Sequence, residues 1–522
     1  MKFLIGLRST RPVRAIRILI IKLMTLMRFT FNATLALLTL DVPHLSAMAR
    51  LFCKASITVA LITCTAASYC AEDDLRQRLT EREDKRRPLV PWSTQLAGRP
   101  LTVSGEYEVS LESQRQRGSG DDRNRHNPQF MKQSAEAEAF YSFGPSLSAF
   151  AQLRVATQWD LSNDTSATNS YRLAERGEMW LNSQHIGGSE FNLEVGRLHF
   201  EDDRRWWWDD DLDAIRLSFE RPTFNMALAL ARELGRSSTE RNSNGSNDHI
   251  GRLIGEITWD FWPNHDLTLF LMHHRDPSSP VLNDVRKEAF GANLNWIGAR
   301  SMGAFRLGHA SILGYWLDAA WLRGSERNVR DEDVTPARGD TGTSLQRKVR
   351  GSAVDVGINW ALPLPQEPRF FGGYAIGSGS GSSRAGVDHT FRQSGIQANE
   401  SGFGGVRRYP HYGLFLQPEL SNLKITTVGA GISILKSSSL DIVYHRYAQA
   451  SAAPSLRGAK LETTPSGASR EVGAEFDLVM AIEEWKKLEL ELGAAAFRAG
   501  RAFGPDEGTW TYRAFVTIRL AF

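Results

Sequence analysis

Charged side chains are concentrated between residues 176 and 217, and their types suit contacts with carboxylates. The stretch contains Arg176 in a Arg-Gly-Glu-Met-Trp run, a Gly196-Arg197 pair, an acidic and tryptophan-rich segment over 201–209, and Arg216 in a Leu-Asp-Ala-Ile-Arg-Leu run. A guanidinium makes forked contacts with carboxylates. The pattern therefore predicts arginine–carboxylate contacts, either within the protein or with a ligand.

No catalytic set accompanies these arginines. The sequence has no Gly-x-Ser-x-Gly, no His-Glu-x-x-His and no phosphate-binding loop. His273 and His274 are adjacent in an extended segment, so their rings are expected on opposite faces rather than on one metal ion. All three cysteines, Cys53, Cys64 and Cys70, precede residue 72. We therefore expect no enzyme, no metal site and no cofactor.

The elements that must position the charges have a period of two. Over 102–112 polar residues alternate with Val103, Gly105, Tyr107, Val109 and Leu111. The same alternation recurs over 134–143, 146–155, 354–360 and 488–492. Strands of about ten residues with one apolar and one polar face are typical of barrels with lipid outside and water inside.

A soluble β-sandwich would also alternate, but two features favour a membrane barrel. Aromatic residues lie near the ends of predicted strands, as at Trp159, Trp180 and Trp360, which is typical of interfacial girdles. The alternating last segment, 516–522, ends on Phe522, which resembles the terminal strand that outer-membrane barrels present to their assembly machinery. Beyond Ala71 no run of about 20 apolar residues predicts a membrane helix.

We predict an all-β fold: a transmembrane antiparallel β-barrel over 99–522. There are roughly 17 to 19 candidate strands, and because such barrels have an even number, 18 is expected. Long extracellular loops are predicted at about 114–132, 236–248, 324–350, 377–410 and 449–470.

The N-terminal region is predicted to be an export segment, residues 1–71, followed by a charged periplasmic leader, residues 72–98. Translation from Met48 is the preferred interpretation; a long signal sequence, or a lipoprotein with lipid on Cys64, are alternatives. Residues 1–71 hold nine Lys/Arg and one acid, so the remainder has a formal charge of −5 despite +3 for the whole chain. The net positive charge of the whole chain therefore does not predict nucleic-acid binding.

The apolar parity of the sequence switches at Gly196. Before it Phe191, Leu193 and Val195 are expected to face lipid, and after it Leu198 and Phe200. A β-bulge at Gly196 is therefore predicted, and it would turn the next residue, Arg197, into the lumen.

This charged stretch resembles the alginate-export family of outer-membrane proteins. In that family an arginine strand, a Gly-Arg strand, a Trp-Asp turn and a Leu-Asp-x-x-Arg-Leu strand follow one another. Further segments agree with the family in the same order along nearly all of the chain after residue 98. They are 373–375, 419–423, 443–445, 475–479, 503–505 and 513–516.

The resemblance implies an 18-stranded outer-membrane channel of a Gram-negative-type bacterium that passes an anionic polyuronate outward. The implied partners are an acidic polysaccharide, outer-membrane lipid and periplasmic components of a secretion complex, and the implied state is a monomer. Asp209 is expected to orient the arginines that line the pore. The expected lining arginines are Arg154, Arg176, Arg197, Arg216, Arg407 and Arg408.

Three positions depart from the family pattern. Glu400 and Glu491 stand where the family has arginines, and Thr517 stands where it has an aspartate. A general or anion-selective diffusion channel for small acidic solutes is therefore an alternative. A lipid-modifying enzyme is another, and it would need a Ser/His pair near the outer leaflet. The lining charges can also simply brace the wall, and the 206–208 tryptophans are predicted to be an interfacial anchor.

Overall fold

The computed structural model describes residues 92–115, 127–162, 170–234, 237–239, 250–277, 290–307, 311–328, 345–380, 386–461 and 463–522. Their strands in chain order are β1 (Trp92–Leu96), β2 (Arg99–Arg115), β3 (Gln129–Ser142), β4 (Leu147–Asp160), β5 (Tyr171–Ser183), β6 (Phe191–Glu201), β7 (Asp209–Arg221), β8 (Phe224–Arg232), β9 (Gly251–Trp262), β10 (His265–Arg275), β11 (Phe290–Leu307), β12 (Ser311–Asn328), β13 (Leu345–Ala361), β14 (Arg369–Gly377), β15 (Val387–Asp388), β16 (Glu400–Ser401), β17 (Tyr409–Pro410), β18 (Leu423–Leu435), β19 (Ser438–Gln449), β20 (Glu471–Trp485), β21 (Leu488–Ala499) and β22 (Trp510–Ala521).

Eighteen of these strands, β2–β14 and β18–β22, form one closed antiparallel barrel, which confirms the predicted fold. The barrel closes where β22 pairs with β2, from Glu106 opposite Ala521 to Arg115 opposite Tyr512. Backbone hydrogen bonds of 2.9 Å in both directions join Gly105 to Phe522 at the end of this pairing. A Cβ at residue 105 would lie 2.6 Å from the Phe522 ring, so glycine permits the approach.

The alternation in the sequence maps onto the two faces of the wall. On β2, Tyr107 and Leu111 are exposed on the outer face, whereas Ser110 and Glu112 are buried inside. His273 and His274 likewise point apart: His273 bonds Asn295 on the outer face at 2.8 Å, and the more buried His274 packs beside Trp296.

Within the described ranges, no helix is long and apolar enough to cross a bilayer.

The strand ends define two sides of the barrel. Short turns such as 222–223, 263–264 and 486–487 connect strands on one side, which is the periplasmic side of such barrels. Longer connections lie on the other side, near the predicted loops, although β12 and β13 extend into the predicted loop 324–350. Residues 116–126, 240–249 and 329–344 of those loops lie outside the described residues.

The N-terminal hairpin precedes the barrel. β1 pairs with β2, from Trp92 opposite Val103 to Leu96 opposite Arg99. The predicted export segment, 1–71, and most of the predicted leader, 72–91, lie outside the described residues.

An apolar core lies inside the barrel, and it overturns the prediction that Leu198 and Phe200 face lipid. These side chains are 0% and 4% exposed and belong to that core. There is no bulge at Gly196, because β6 keeps an unbroken register with both β5 and β7 through that residue.

The reason is that β6 and β7 leave the wall together. β5 pairs with β6 only as far as Met179 opposite Arg197, and residues 237–239 bond to the free edge of β5 beyond that point. Gly196 is the last residue before the departure; its φ is +137°, and a Cβ there would collide with the Met179 carbonyl. Residues 197–213 therefore fold into the lumen, and we call them the inner hairpin. Their apolar side chains pack against the inner face of the barrel wall.

Candidate translocation site in the barrel lumen

The turn of the inner hairpin is built around one carboxylate. Asp202 accepts hydrogen bonds from the backbone N–H groups of Trp206, Trp207 and Trp208 at 3.3, 2.8 and 3.1 Å. Charge-assisted bonds of this kind are roughly twice as strong as neutral ones. The turn is thereby fixed, and the side chains of the two arginines within it are held in defined positions.

The three tryptophans are not the interfacial anchor that the sequence predicts. Each is 2% exposed and lies inside the barrel. Trp207 stacks on Phe270 of β10 with ring centroids 4.8 Å apart, and Trp206 donates its indole N–H to the Tyr412 hydroxyl at 2.7 Å. The run therefore fills the lumen beside the wall, because the hairpin that carries it turns inward.

A buried charge network ties the inner hairpin to β11–β13. Arg204 donates to Asp318 at 2.7 Å and to Asp355 at 3.1 Å, and these two aspartates stand directly opposite each other on β12 and β13. Arg300 of β11 donates to Asp318 at 2.6 Å and also contacts Asp202. All five groups are buried. Removal of one member of such a network typically costs about 3–5 kcal/mol.

A second inward element is the lumen loop, residues 378–422, between β14 and β18. Carboxylates of β20 hold its later part: Glu475 accepts the N–H groups of Phe415 and Leu416 at 2.6 and 3.1 Å, and Asp477 accepts that of Leu414 at 3.1 Å. Buried backbone groups need such partners. This part of the loop is therefore a fixed part of the lumen wall.

Arg392 anchors the earlier part of the lumen loop. Its guanidinium makes two bonds to Glu326 of β12, at 2.7 and 3.1 Å, and one of 2.7 Å to Asp388. Burial by itself raises the pKa of Asp388, but the Arg392 charge, with hydrogen bonds from Arg392 and Thr390, brings that pKa below its usual 3.8. The anchor is therefore ionised at neutral pH.

Arg205, Arg407 and Arg408 line one cavity of about 910 Å³, which Arg204 of the buried network also touches. We call Arg205, Arg407 and Arg408 the arginine cluster. Arg205 comes from the inner hairpin and the other two from the lumen loop. The cavity also touches residues 263–264 and 437 of periplasmic turns. It is therefore a vestibule that lies toward the periplasmic side of the two inward elements.

Two members of the arginine cluster, Arg205 and Arg408, contact carboxylates of the inward elements. Arg205 donates to Glu400 at 2.6 Å and to Glu201 at 2.8 Å, and Asp209 lies 3.5 Å away. Arg408 donates to Glu201 at 2.5 Å. The vestibule thus holds an alternating array of fixed positive and negative groups.

Carboxylates of the barrel wall contact the third member. Arg407 lies 3.2 Å from Glu489 and 3.4 Å from Glu491 of β21. Glu491 also accepts from Arg519 at 3.0 Å, and Arg519 donates to Glu108 at 2.7 Å. Glu491 is therefore part of a chain of ion pairs that runs from the lumen loop to the wall.

The seven lining residues predicted from sequence do not form one ring. Asp209, Arg407 and Arg408 meet at the arginine cluster, together with Arg205, which was not among the predicted lining residues although it lies within the tryptophan turn. Three others form ion pairs away from the arginine cluster. These are Arg154 with Glu175 at 3.7 Å, Arg176 with Asp213 at 2.7 Å, and Arg216 with Glu194 at 2.5 Å. Arg197 is buried, and in the described part of the chain its Nε has no hydrogen-bond partner.

His199 is the described residue best placed to contribute to a metal site. Its ring nitrogens lie 2.8 Å from Asp211 and 3.4 Å from Asp209, and Glu201 is 3.5 Å away. Glu201 and Asp209 already contact arginines of the cluster, which supply the positive charge that a cation would otherwise provide. The arrangement fits an ion-pair network better than a metal centre.

One Ser/His pair does occur, but not near the outer leaflet. Ser401 and His411 lie 3.1 Å apart within the lumen loop, and both are buried. Burial and the positive charges of Arg204 and Arg300 lower the pKa of His411 well below its usual 6.5. A buried, weakly basic imidazole does not suit a lipid-modifying enzyme.

Comparison with known proteins agrees with this geometry. A family model described as alginate export matches residues 99–517. Alginate production protein AlgE of Pseudomonas aeruginosa is 25% identical over 354 residues, which are 63% of this chain and 71% of AlgE. The crystal structure of OccAB1 of Acinetobacter baumannii superposes with a TM-score of 0.52 at 10% identity, covering 81% of this chain and 97% of OccAB1, and this likeness concerns the fold alone.

The family match and the barrel fold identify a channel of the Gram-negative outer membrane rather than an enzyme. The matched residues run from the first barrel strand almost to the end of the last one. The chain therefore belongs to the alginate-export family of outer-membrane β-barrel proteins.

Proposed function

We propose that the protein exports an anionic exopolysaccharide, an alginate-like polyuronate, through the lumen of its barrel. Membership of the alginate-export family supports the direction and the substrate class. The observation that carries the proposal in this chain is the arginine cluster, in which Arg205, Arg407 and Arg408 from two separate inward elements line one vestibule.

The physical basis is the match between a repeated carboxylate and fixed guanidinium groups. A uronate polymer has one carboxylate per sugar, and positive groups in a narrow, low-dielectric passage attract it as a focused field. Each cluster arginine already contacts a protein carboxylate such as Glu400 or Glu489. A polymer carboxylate would exchange with these groups, so binding stays weak enough for the chain to move on.

Transport in this proposal is passive and driven by polymer synthesis behind the channel. Periplasmic components of a secretion complex would deliver the polymer to the vestibule, which lies toward the periplasmic turns. The barrel acts as a monomer in the outer membrane, after removal of the export segment 1–71. The leader, 72–98, would then lie on the periplasmic side with the β1–β2 hairpin.

Single-channel recording in planar bilayers tests the proposal, with and without oligouronates. We expect block by the oligomer and about tenfold weaker block in Arg407→Gln and Arg205→Gln, because each change removes one forked contact with a carboxylate. Arg221→Gln is the matched control, since Arg221 pairs with Glu190 on the exposed periplasmic rim. Block that is absent, or equal in all four proteins, would overturn the proposal.

A diffusion channel for small acidic solutes is the second candidate function. The contacts of Glu400, Glu489 and Glu491 with the arginine cluster favour it, because they reduce the net positive charge of the vestibule. Liposome swelling separates the two functions. Rapid entry of monomeric uronate without block by the oligomer would favour diffusion, and block by the oligomer would favour export.

A further inference from the structure

The outer surface of β10–β13 changes from apolar to basic between one row of outward residues and the next, two residues further along each strand. Strand register defines rows of outward residues across these four strands. The lower row, in strand order, is Leu271, Ile297, Trp321 and Ser352. The next row is His273, Asn295, Arg323 and Arg350, and the row above it is Arg275, Asn293, Ser325 and Lys348.

This change occurs at the level of the lipid headgroups. The outward Trp321 is 59% exposed, as expected of an aromatic residue at the membrane interface. Arg323 follows it by two residues, a distance of about 7 Å along a strand. β10 and β12 both run toward the side with the long connections, so the basic rows lie in the outer leaflet.

The basic rows have no counter-charge in the part of the chain that the structure describes. Arg323 and Arg350 are exposed and stand directly opposite each other on neighbouring strands. Like charges in that position destabilise a sheet. Neither makes an ion pair with a described residue, and no described carboxylate shares their rows. A bound anion would relieve the repulsion.

We propose that this outer basic patch, composed of Arg275, Arg323, Lys348 and Arg350, binds the phosphate groups of a phosphorylated glycolipid in the outer leaflet. Guanidinium groups bind phosphate through forked contacts. The apolar row that includes Ile297 and Trp321 lies directly below, where it would contact the acyl chains of the same molecule. The patch would thus contact the headgroup of the lipid and the apolar row its acyl chains, whereas a free phosphate ion would contact the patch alone.

Another outward arginine, on β19, has no charged neighbour on the adjacent strands. Arg446 of β19 lies two residues above Tyr444, as Arg323 lies two above Trp321. Its neighbours across the strands are Thr426 and Ala474, which carry no charge. Arg446 is therefore a control for an isolated outward cation.

The test measures binding of lipid A to the purified full-length barrel in detergent by native mass spectrometry. The probes are bisphosphorylated lipid A, dephosphorylated lipid A and inorganic phosphate. We expect the combined Arg323→Gln and Arg350→Gln variant to bind phosphorylated lipid A at least tenfold more weakly, with Arg446→Gln within about twofold of the parent. The combined Arg323→Lys and Arg350→Lys variant, which keeps the charges, should lie between them.

Three results would overturn the lipid site. They are unchanged affinity in both double variants, equal binding of dephosphorylated lipid A, and displacement of lipid A by equimolar inorganic phosphate. The last would indicate a site for a free ion. Channel conductance does not enter the test, because the patch lies outside the lumen, so either outcome leaves the export proposal to its own experiment.

Discussion

An ion pair between Arg205 and Glu400 joins the inner hairpin to the lumen loop, beside the pair of Arg408 with Glu201. The guanidinium of Arg205 donates to the Glu400 carboxylate at 2.6 Å, although the residues are 195 positions apart in the chain. Glu400 belongs to the β16–β17 hairpin, in which it pairs with Pro410. A protein carboxylate thus occupies the place that a substrate carboxylate would take on this arginine.

Substitution of that carboxylate should make the vestibule more attractive to anions. In Glu400→Gln we expect the reversal potential in a KCl gradient to shift toward anion selectivity and oligouronate block to become about fivefold tighter, the value of a partly exposed ion pair of about 1 kcal/mol. Glu190→Gln, on the periplasmic rim, is the control. A reversal potential identical to the parent would show that Glu400 does not compete for Arg205.

Loss of one member of the buried network should destabilise the whole barrel. Asp318→Ala leaves Arg204 and Arg300 without their shared carboxylate in a fully buried site, and we expect the free energy of unfolding to fall by about 3–5 kcal/mol. Urea unfolding of the protein in detergent measures it. Glu471→Gln, at an exposed pair with Arg501, should leave the midpoint almost unchanged. Equal midpoints for the two variants would contradict a structural role of the network.

Truncation of the central tryptophan should change both stability and current. Trp207→Ala removes the ring that stacks on Phe270, at a cost of about 3–5 kcal/mol, and opens space inside the lumen. We expect a higher and noisier single-channel conductance than that of the parent. Trp92→Ala, on the exposed β1 hairpin, serves as the control. If conductance stayed at the parental value, the inner hairpin would not limit the passage.

The stability that Asp388 contributes to the lumen loop should change with pH only under acidic conditions. Because the folded pKa of Asp388 is depressed, its ionised form stabilises the fold above the usual 3.8, and that contribution is lost as pH falls through the lower folded value. The stability difference between the parent and Asp388→Asn should therefore be constant from pH 7 to 5 and shrink at pH 3. Unfolding midpoints at the three pH values measure it, and a difference that already vanished at pH 5 would contradict the assignment.

The barrel was predictable from sequence, and its interior was not. Alternation such as that of Tyr107 and Leu111 against Glu112 reports which face meets lipid, and it determined the fold. The same rule failed at Leu198 and Phe200. In the sequence, an apolar residue that packs in an apolar core inside the barrel cannot be distinguished from one that faces lipid. Arg205 was not predicted to line the lumen, because its position depends on the contact with Glu400. The two residues are 195 positions apart, and no local sequence pattern encodes such a contact.

The bonds between Gly105 and Phe522 have a consequence for the order of folding. The seam between β2 and β22 brings together Ser110 and Thr517, which are 407 positions apart, so it carries almost the largest loop-closure cost that the chain can meet. Until β22 is in place, the edge of β2 from Glu106 onward has no partner strand. A chain without β22 would present two unpaired edges, which invites intermolecular pairing, so the twelve residues of β22 decide between insertion and aggregation.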